Sequence, residues 1–363
     1  MLRLFAACLY GGVRNLNSKE NYLRTVFFEH PDHIPMCAVI NEACWNYYPQ
    51  AFLCEQMEKH SRLFPGYIRP ALPVQPVYGL NARKDKPYTD YFGCTWYTST
   101  DGITGTVLDH PLESWESFAD YKAPDPEICD GLTTVNWHNF SKWVTETPDQ
   151  LHIGGLRHGH TFLQLCDIRG YENLMFDMAD EEPKLWELIK LVEDFNLSLV
   201  KRYIASGVDG VSYGDDMGMQ LGPMISPEHF RKYIKPSYRT IMKPAKDAGL
   251  VLYMHSDGDI RTLVEDIMDA GANVINLQDL VNGVDWIRDN LKGRTCIELD
   301  IDRQNITRFG TPSQIDRLIR EEVEKLGSPQ GGLSFIYGLY PGTPMENVEA
   351  VFDSMERYMG YFD

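Results

Sequence analysis

Residues 207–260 read GVDGVSYGDDMGMQLGPMISPEHFRKYIKPSYRTIMKPAKDAGLVLYMHSDGDI. This stretch holds two short runs rich in β-branched and aromatic residues, 210–213 and 251–254, separated by a helix-forming segment. The helical segment opens with Ser226-Pro227, a capping residue followed by a proline at the first helical position. A strand, a capped helix and a second strand form a βαβ unit, and such units build parallel sheets.

The same alternation continues on both sides of this stretch. Short apolar runs predict strands at 34–40, 151–155, 210–213, 251–254, 274–277, 296–299 and 333–336. Thr311-Pro312 and Thr343-Pro344 are each followed by Gln or Glu in the position of a capping box. Region 65–130, rich in Pro, Tyr and Trp, is expected to hold one strand and an excursion with a hairpin near 91–106.

These patterns favour an α/β fold, a single (β/α)8 TIM barrel with an elaborated N-terminal region. An open doubly wound sheet fits the alternation too, but no G-x-G-x-x-G or Walker loop follows a strand. We expect residues 17–363 to form one domain and residues 1–16 to form an N-terminal tail. The apolar run 4–10 in that tail is too short to span a bilayer.

The net charge and the spacing of the cysteines exclude some classes of protein. A formal net charge of -18 argues against nucleic acid and against an anionic membrane surface, since both require clustered Lys and Arg. The eight cysteines are scattered and form no C-x-x-C pair. Scattered single thiols indicate a reducing cytoplasm. The oligomeric state is left open.

Polar residues stand at the ends of the predicted strands. In a β/α barrel these positions line the active-site mouth. They are Glu42, Arg157, His158, His160, Asp215, Asp216, His255, Asp257, Gln278, Asp279, Asp300, Asp302 and Tyr337. Two like charges about 4 Å apart repel by roughly 4 kcal/mol at an effective dielectric near 20. So many carboxylates therefore predict raised pKa values, pairing with Arg, or a bound cation.

Several of these residues admit more than one interpretation. Asp215-Asp216 is either an acid–base pair or a cap for the following loop. His158 and His160 alternate, so on an extended segment both would face one side. His255 and Asp257 are the stronger candidates, because both side chains leave the same strand end two residues apart. Trp45 and nearby aromatic residues either contact the substrate or pack the excursion.

Four segments carry a resemblance to a known family. They are the opening stretch, RGYENLMFDMADEEPKLWELI at 169–189, DIDRQNITRFGTPSQIDRLI at 300–319 and PGTPMENVEAVFDSM at 341–355. Together they resemble the uroporphyrinogen-decarboxylase superfamily of (β/α)8 barrels, over nearly the whole chain from residue 17. True uroporphyrinogen decarboxylases carry an arginine-rich segment near the N-terminus. Residues 36–48 here read MCAVINEACWNYY and lack it, so porphyrinogen decarboxylation is not expected.

The methyltransferase branch of this superfamily binds zinc through a His-x-Cys pair and a later cysteine, and works with a corrinoid protein or a thiol acceptor. The resemblance places His255-x-Asp257 on the first pair and Tyr337 near the later cysteine. It therefore implies a zinc site of His255 and Asp257, completed by either Asp279 or Asp215 as third ligand. A carboxylate in place of a thiolate makes a harder site, suited to activating oxygen or nitrogen substituents.

The leading hypothesis is a cytoplasmic methyltransferase or demethylase that moves a methyl group from a small O- or N-methyl compound to a corrinoid carried by a partner protein. Its predicted residues fall into three groups. The catalytic residues are Asp215, Asp216 and Tyr337; the substrate-binding residues are Glu42, Trp45, Arg157, His158 and Gln278; the metal ligands are His255, Asp257 and Asp279. The alternatives are a metal-free decarboxylase of a small acid, using Arg157, and a non-catalytic ligand-binding barrel.

Overall fold

The computed structural model describes residues 17–362. These residues divide into two compact units. Unit one consists of residues 17–77, 149–151 and 273–362, and unit two of residues 78–148 and 152–272. The predicted tail, 1–16, lies outside the described residues, and a single domain over 17–363 stays a prediction.

Strands and helices alternate along most of the chain. The strands are β1 Met36–Ile40, β2 Tyr88–Thr89, β3 Thr95–Tyr97, β4 Thr106–Asp109, β5 Ile153–Gly155, β6 Gly210–Gly214, β7 Gly218–Met219, β8 Gly222–Pro223, β9 Val251–Ser256, β10 Val274–Gln278, β11 Cys296–Asp300 and β12 Leu333–Leu339. The α-helices are α1 Ser18–Val26, α2 Cys44–Tyr47, α3 Gln50–Lys59, α4 Trp137–Glu146, α5 Phe162–Arg169, α6 Tyr171–Ala179, α7 Pro183–Ala205, α8 Pro227–His229, α9 Lys235–Asp247, α10 Val264–Ala270, α11 Asp279–Asn282, α12 Val284–Leu291, α13 Ile306–Phe309, α14 Pro312–Leu326 and α15 Met345–Met359. None of these helices is long and apolar enough to cross a membrane.

Unit one is built on four parallel strands, hydrogen-bonded in the order β1-β12-β11-β10. Val274, Ile297 and Phe335 on these strands are buried. Each such side chain stabilises the fold by about 1.5–3 kcal/mol relative to an exposed one. Continuous burial is typical of parallel strands that helices cover, which explains why the apolar runs predicted these strands well.

Unit two contains the parallel strands β5-β6-β9. The long helix α7 connects β5 to β6 after α5 and α6, and α9 precedes β9. Gly154 on β5 lies so close to α7 that a Cβ atom there would be 2.4 Å from the Tyr203 ring. The repeated parallel strands and intervening helices confirm the predicted fold class, an α/β TIM barrel.

Residues 78–148 form the excursion of unit two. Its strands β2, β3 and β4 pair antiparallel, which confirms the hairpin predicted near 91–106. Arg169 at the end of α5 binds this excursion through the carbonyl oxygens of Leu112 and Glu113. Its Nε also donates to Asp177 Oδ2 at 2.7 Å.

A π-helical turn, Phe230–Ile234, joins α8 to α9. The N–H of Lys235 donates to the carbonyl of Phe230, five residues back. Pro236 follows directly and has no N–H for an α-helical bond. The α-helical pattern therefore resumes at Lys235, and it places Tyr238 so that its hydroxyl donates to Asp215 Oδ2 at 2.8 Å.

Two of the three predicted helix starts are confirmed. Ser226 accepts the His229 N–H, and Thr311 forms the full capping box with Gln314. The prediction at Thr343 is wrong, because α15 begins at Met345 with Pro344 in the N-cap position. Thr343 is instead held inward, where its carbonyl accepts the Tyr48 hydroxyl at 2.7 Å.

Candidate metal centre

Three side chains meet in unit two, from the loops after β5 and β6 and from the end of β9. His158 Nε2 lies 3.2 Å from Asp216 Oδ1, and His255 Nε2 lies 3.5 Å from the same oxygen. One donor atom from each residue lies within 4.8 Å of the others. The side chains of His158, Asp216 and His255 are 29%, 24% and 21% exposed, respectively, so the cluster is partly shielded and still open to solvent.

The chain reaches this arrangement through a bend after β5. Gly159 has φ +79°, and its N–H donates to the Gly214 carbonyl at 2.7 Å. This holds the His158 ring against the end of β6, where a Cβ atom on Gly214 would lie 3.0 Å from His158 Cδ2. The segment is therefore not extended, and the expectation that His158 and His160 face one side is wrong: the His160 ring packs against Tyr238 instead.

The charges in the cluster support one another. Burial opposes ionisation of Asp216. The hydrogen bond and charge of His158 outweigh this effect, together with the charge of His255 and the Asp257 N–H, so the pKa of Asp216 is lowered. Burial likewise disfavours a charged His158, yet its bond to Asp216 outweighs that cost and raises the pKa of His158. At neutral pH Asp216 is therefore an anion between two imidazoles.

Asp215, predicted as catalytic, has no exposed surface. Its two oxygens accept the N–H groups of Phe162 at 2.7 Å and Leu163 at 3.1 Å, the first residues of α5. The Tyr238 hydroxyl donates to it as well. Burial raises the pKa of Asp215 to about 6 in spite of these bonds. This carboxylate thus caps α5, whereas the cap considered from the sequence was one for the loop that follows Asp216; a catalytic role for Asp215 stays a prediction.

His160 is buried beneath the cluster. Burial lowers its pKa to about 3, so its ring is neutral. Nδ1 lies 2.6 Å from Thr161 Oγ1, while Nε2 has no hydrogen-bond partner among the described residues.

Arg157, predicted to bind substrate, is enclosed by protein. Its guanidinium donates to Gln164 Oε1 and to Asp167 Oδ2 at 2.6 Å, and lies 3.6 Å from Asp90 Oδ2. The Trp96 ring lies 5.4 Å from it. Two carboxylates already neutralise this residue, and only 4% of its side chain is exposed.

Asp257, predicted as a metal ligand, lies at the edge of the cluster. Its Oδ1 is 3.9 Å from His255 Nε2, and its backbone N–H donates to Asp216 Oδ1 at 2.8 Å. The side chain is 41% exposed. A direct ligand role for Asp257 stays a prediction.

The remaining predicted residues belong to unit one. Asp279 is buried, and its oxygens accept the N–H groups of Leu280 and Asp302. Burial raises the pKa of Asp279 to about 6 and that of the neighbouring buried Glu322 well above its usual value. This acidic pair explains the environment of Asp279 without a metal, and its predicted ligand role stays untested.

Tyr337 is fully buried on β12, and burial raises its pKa even though it hydrogen-bonds the Thr343 and Thr307 side chains. Glu42 is exposed, and Trp45 and Gln278 are half-buried. Their catalytic or substrate-binding roles stay predictions.

Sequence reasoning did not assign His158 and Asp216 to a metal. The sequence does place both residues at strand ends, as it does His255. It does not show that His158 meets Asp216, because that contact depends on the bend at Gly159. Two imidazoles and one carboxylate are a ligand set that zinc uses in proteins.

The family model and the curated relatives that match this chain carry the same name, uroporphyrinogen decarboxylase. Residues 90–358 match the family model described as uroporphyrinogen decarboxylase (URO-D). Uroporphyrinogen decarboxylase 2 of Arabidopsis thaliana is 29% identical over 183 residues, which cover 48% of this chain and 43% of that protein. Uroporphyrinogen decarboxylase of Gloeobacter violaceus is 23% identical and covers 69% of this chain and 72% of its own length. The chain spans about half the length of most of the curated relatives it matches.

Among solved structures, a methyltransferase from Methanosarcina mazei superposes with a TM-score of 0.65 at 17% identity. The match covers 94% of this chain and 98% of that protein. At this identity the likeness concerns the fold.

Proposed function

Because this chain belongs to the uroporphyrinogen decarboxylase family, whose members are enzymes, we propose that it is a metal-assisted methyltransferase. It would move a methyl group from a small O- or N-methyl compound to a corrinoid carried by a partner protein. The observation that carries the proposal is the cluster of His158, Asp216 and His255. The corrinoid acceptor rests on the resemblance of His255-x-Asp257 to the His-x-Cys pair of the methyltransferase branch. The proposed setting is a reducing cytoplasm, where the free thiols at 37, 44, 54, 94, 129, 166 and 296 persist.

The three side chains fit zinc by donor type and number. A zinc ion held there would act as a Lewis acid on the heteroatom that bears the methyl group. Asp216 keeps its negative charge at neutral pH because its pKa is lowered, so we assign it to metal binding and not to proton donation. The Asp257 N–H donates to Asp216 Oδ1 and thereby holds the Asp216 carboxylate between the rings of His158 and His255.

Decarboxylation of a small acid is the second candidate. It is favoured by the names of the curated relatives, which are uroporphyrinogen decarboxylases. It would need a cationic side chain for the substrate carboxylate. Arg157, the residue first considered for this, is already bound to Asp167 and Gln164. We therefore rank methyl transfer first.

The test begins with metal analysis of protein supplied with zinc and dialysed without chelator. We expect near-stoichiometric zinc in the wild type and its loss in His158→Ala, Asp216→Asn and His255→Ala. The matched control is His138→Ala, an exposed histidine on α4, which should keep zinc.

The same proteins are then assayed for methylation of free cob(I)alamin from a panel of O-methyl phenols and N-methyl amines. Methyl transfer that disappears with the three cluster variants supports the proposal. Zinc-free wild type, or full methyl transfer by His255→Ala, would overturn it. Carbon dioxide release from a small acid without any corrinoid would establish the alternative.

A further inference from the structure

The loop after β6, which carries Asp216, stays joined to the end of β9, which carries His255, and to the loop that follows β9. The strand register ends with Gly214 opposite His255. The Asp215 N–H then donates to the His255 carbonyl at 3.0 Å, and the Gly218 N–H donates to the Asp257 carbonyl at 3.2 Å. Backbone bonds of this kind fix where each loop leaves its strand.

Ser256 lies at the centre of this junction and is fully buried. Its Oγ accepts the Met217 N–H at 2.8 Å, and its hydroxyl donates to the Asp257 carbonyl at 3.0 Å. The Ser256 side chain thus binds Met217, which follows Asp216, and Asp257, which lies two places after His255. Only the bond to Met217 crosses between the two segments, and it joins the loop after β6 to the end of β9.

The backbones of the two loops touch next to Ser256. A Cβ atom on Gly258 would lie 2.2 Å from the Gly218 carbonyl carbon, and Gly258 has φ +79°. Larger residues are excluded on both counts. This contact sets how closely the loops approach, while Ser256 sets their register.

We infer that Ser256 is a positioning residue for the metal centre, holding Asp216 and His255 at the separation that lets both bind one ion. The inference rests on the proposed metal-binding function. The Ser256 hydroxyl bonds to no residue of the cluster; it acts through Met217, which follows Asp216, and through Asp257, which lies two places after His255. Partners outside the ligand shell commonly account for 10–100-fold in metal affinity.

The test compares Ser256→Ala with Ser256→Thr, which keeps the hydroxyl, and with Ser212→Ala. Ser212 is a buried serine on β6, so its replacement removes a hydroxyl from the same sheet without touching the loops. The zinc Kd is measured by competition with a chelating dye, and the d–d absorption of the cobalt(II)-substituted protein reports the ligand geometry. Thermal unfolding of each metal-free variant checks that the fold is intact.

We expect the zinc Kd of Ser256→Ala to rise about 10–100-fold with an altered cobalt spectrum. Ser212→Ala and Ser256→Thr should resemble the wild type. An unchanged Kd in Ser256→Ala, while the wild type binds zinc, overturns the inference and leaves the proposed function standing.

A wild type that binds no zinc overturns the proposed function, and amide exchange then decides the inference separately. The reporter is the Asp257 N–H. It donates to Asp216 Oδ1, and the Ser256 side chain takes no part in this bond. Faster exchange of this amide in metal-free Ser256→Ala supports the positioning of Asp216 by Ser256. Equal exchange in variant and wild type overturns it.

Discussion

Asp215 and Asp216 are neighbours in sequence, yet their carboxylates meet opposite surroundings. Asp215 is enclosed and accepts two helix N–H groups and a tyrosine hydroxyl. Asp216 faces His158 and His255 at the surface of the same loop. Successive side chains of an extended segment point to opposite sides, which allows one residue to support the fold and the next to bind a ligand.

This contrast predicts opposite phenotypes for Asp215→Asn and Asp216→Asn. Asp215→Asn leaves one N–H of α5 without an acceptor, so the free energy of unfolding at pH 7 should fall by about 1–3 kcal/mol. Asp216→Asn should abolish zinc binding with a smaller effect on the metal-free fold. Urea denaturation in EDTA, followed by zinc titration, measures both. Loss of zinc binding in a stable Asp215→Asn protein would contradict the assignment of Asp215 to helix capping.

At the scale of elements, Arg157 connects the loop after β5 to α5 and to the excursion of unit two. It binds Asp167 and Gln164 on α5 and lies beside Asp90, which precedes β3. Breaking a buried ion pair by removing one partner typically costs about 3–5 kcal/mol, because the other charge stays buried and unpaired.

We therefore expect Arg157→Met to lower the free energy of unfolding by about 3–5 kcal/mol. Adding Asp167→Asn to this variant removes one unpaired charge and should restore part of the loss. Denaturant unfolding of the two variants and the wild type measures the difference. If Arg157→Met is as stable as the wild type and loses only substrate affinity, Arg157 binds substrate as the sequence first indicated.

The two Thr-Pro motifs predict different sensitivities at the starts of α14 and α15. Thr311→Ala removes the capping box of α14 and should cost about 0.5–2 kcal/mol. Glu346→Ala, at the position where a second capping box was expected, removes only a first-turn charge worth less than about 1 kcal/mol. Thermal unfolding of both variants tests this order, and a larger loss in Glu346→Ala would refute it.

For the whole molecule, buried acids determine how stability depends on pH. Burial raises the pKa of Asp215 and of Asp279 to about 6, and that of Glu322 well above its usual value. The pKa of His158 is raised as well. A group whose folded pKa is raised contributes stability that is fully present below its unfolded pKa and is lost as pH rises through the folded pKa.

The free energy of unfolding of the metal-free protein should therefore fall between about pH 4 and pH 6 as the two aspartates titrate, with a slope near 1.4 kcal/mol per pH unit for each group. His160, whose pKa burial lowers to about 3, contributes one such slope of opposite sign over the same range, so the buried acids determine the net direction. Asp215→Asn and Glu322→Gln each remove one such group and should flatten the slope. Urea denaturation at half-unit pH steps measures it. Stability that rises over this range in the wild type would show that these carboxyl groups are already ionised below about pH 4 in the folded protein.

The parallel strands were predictable because burial on both faces requires continuous apolar runs. The sequence also located His255 and Asp216 at strand ends, since position along a strand is readable from the run itself. The partnership of His158 with them was not predictable, because it depends on the positive φ of Gly159. Thr343 was misjudged for a similar reason: its capping pattern is intact, but a distant hydroxyl from Tyr48 holds its backbone.

The π-helical turn at Phe230–Ile234 has a consequence for how sequences of this type are compared. It accommodates one residue more than an α-helical turn would, and one residue corresponds to about 100° of rotation about the helix axis. A relative that lacked that residue would present a different face of α9, and its counterpart of Tyr238 would no longer point at Asp215. In an alignment, a single-residue gap within the π-helical turn therefore separates chains that keep this tyrosine–aspartate bond from chains that need another donor.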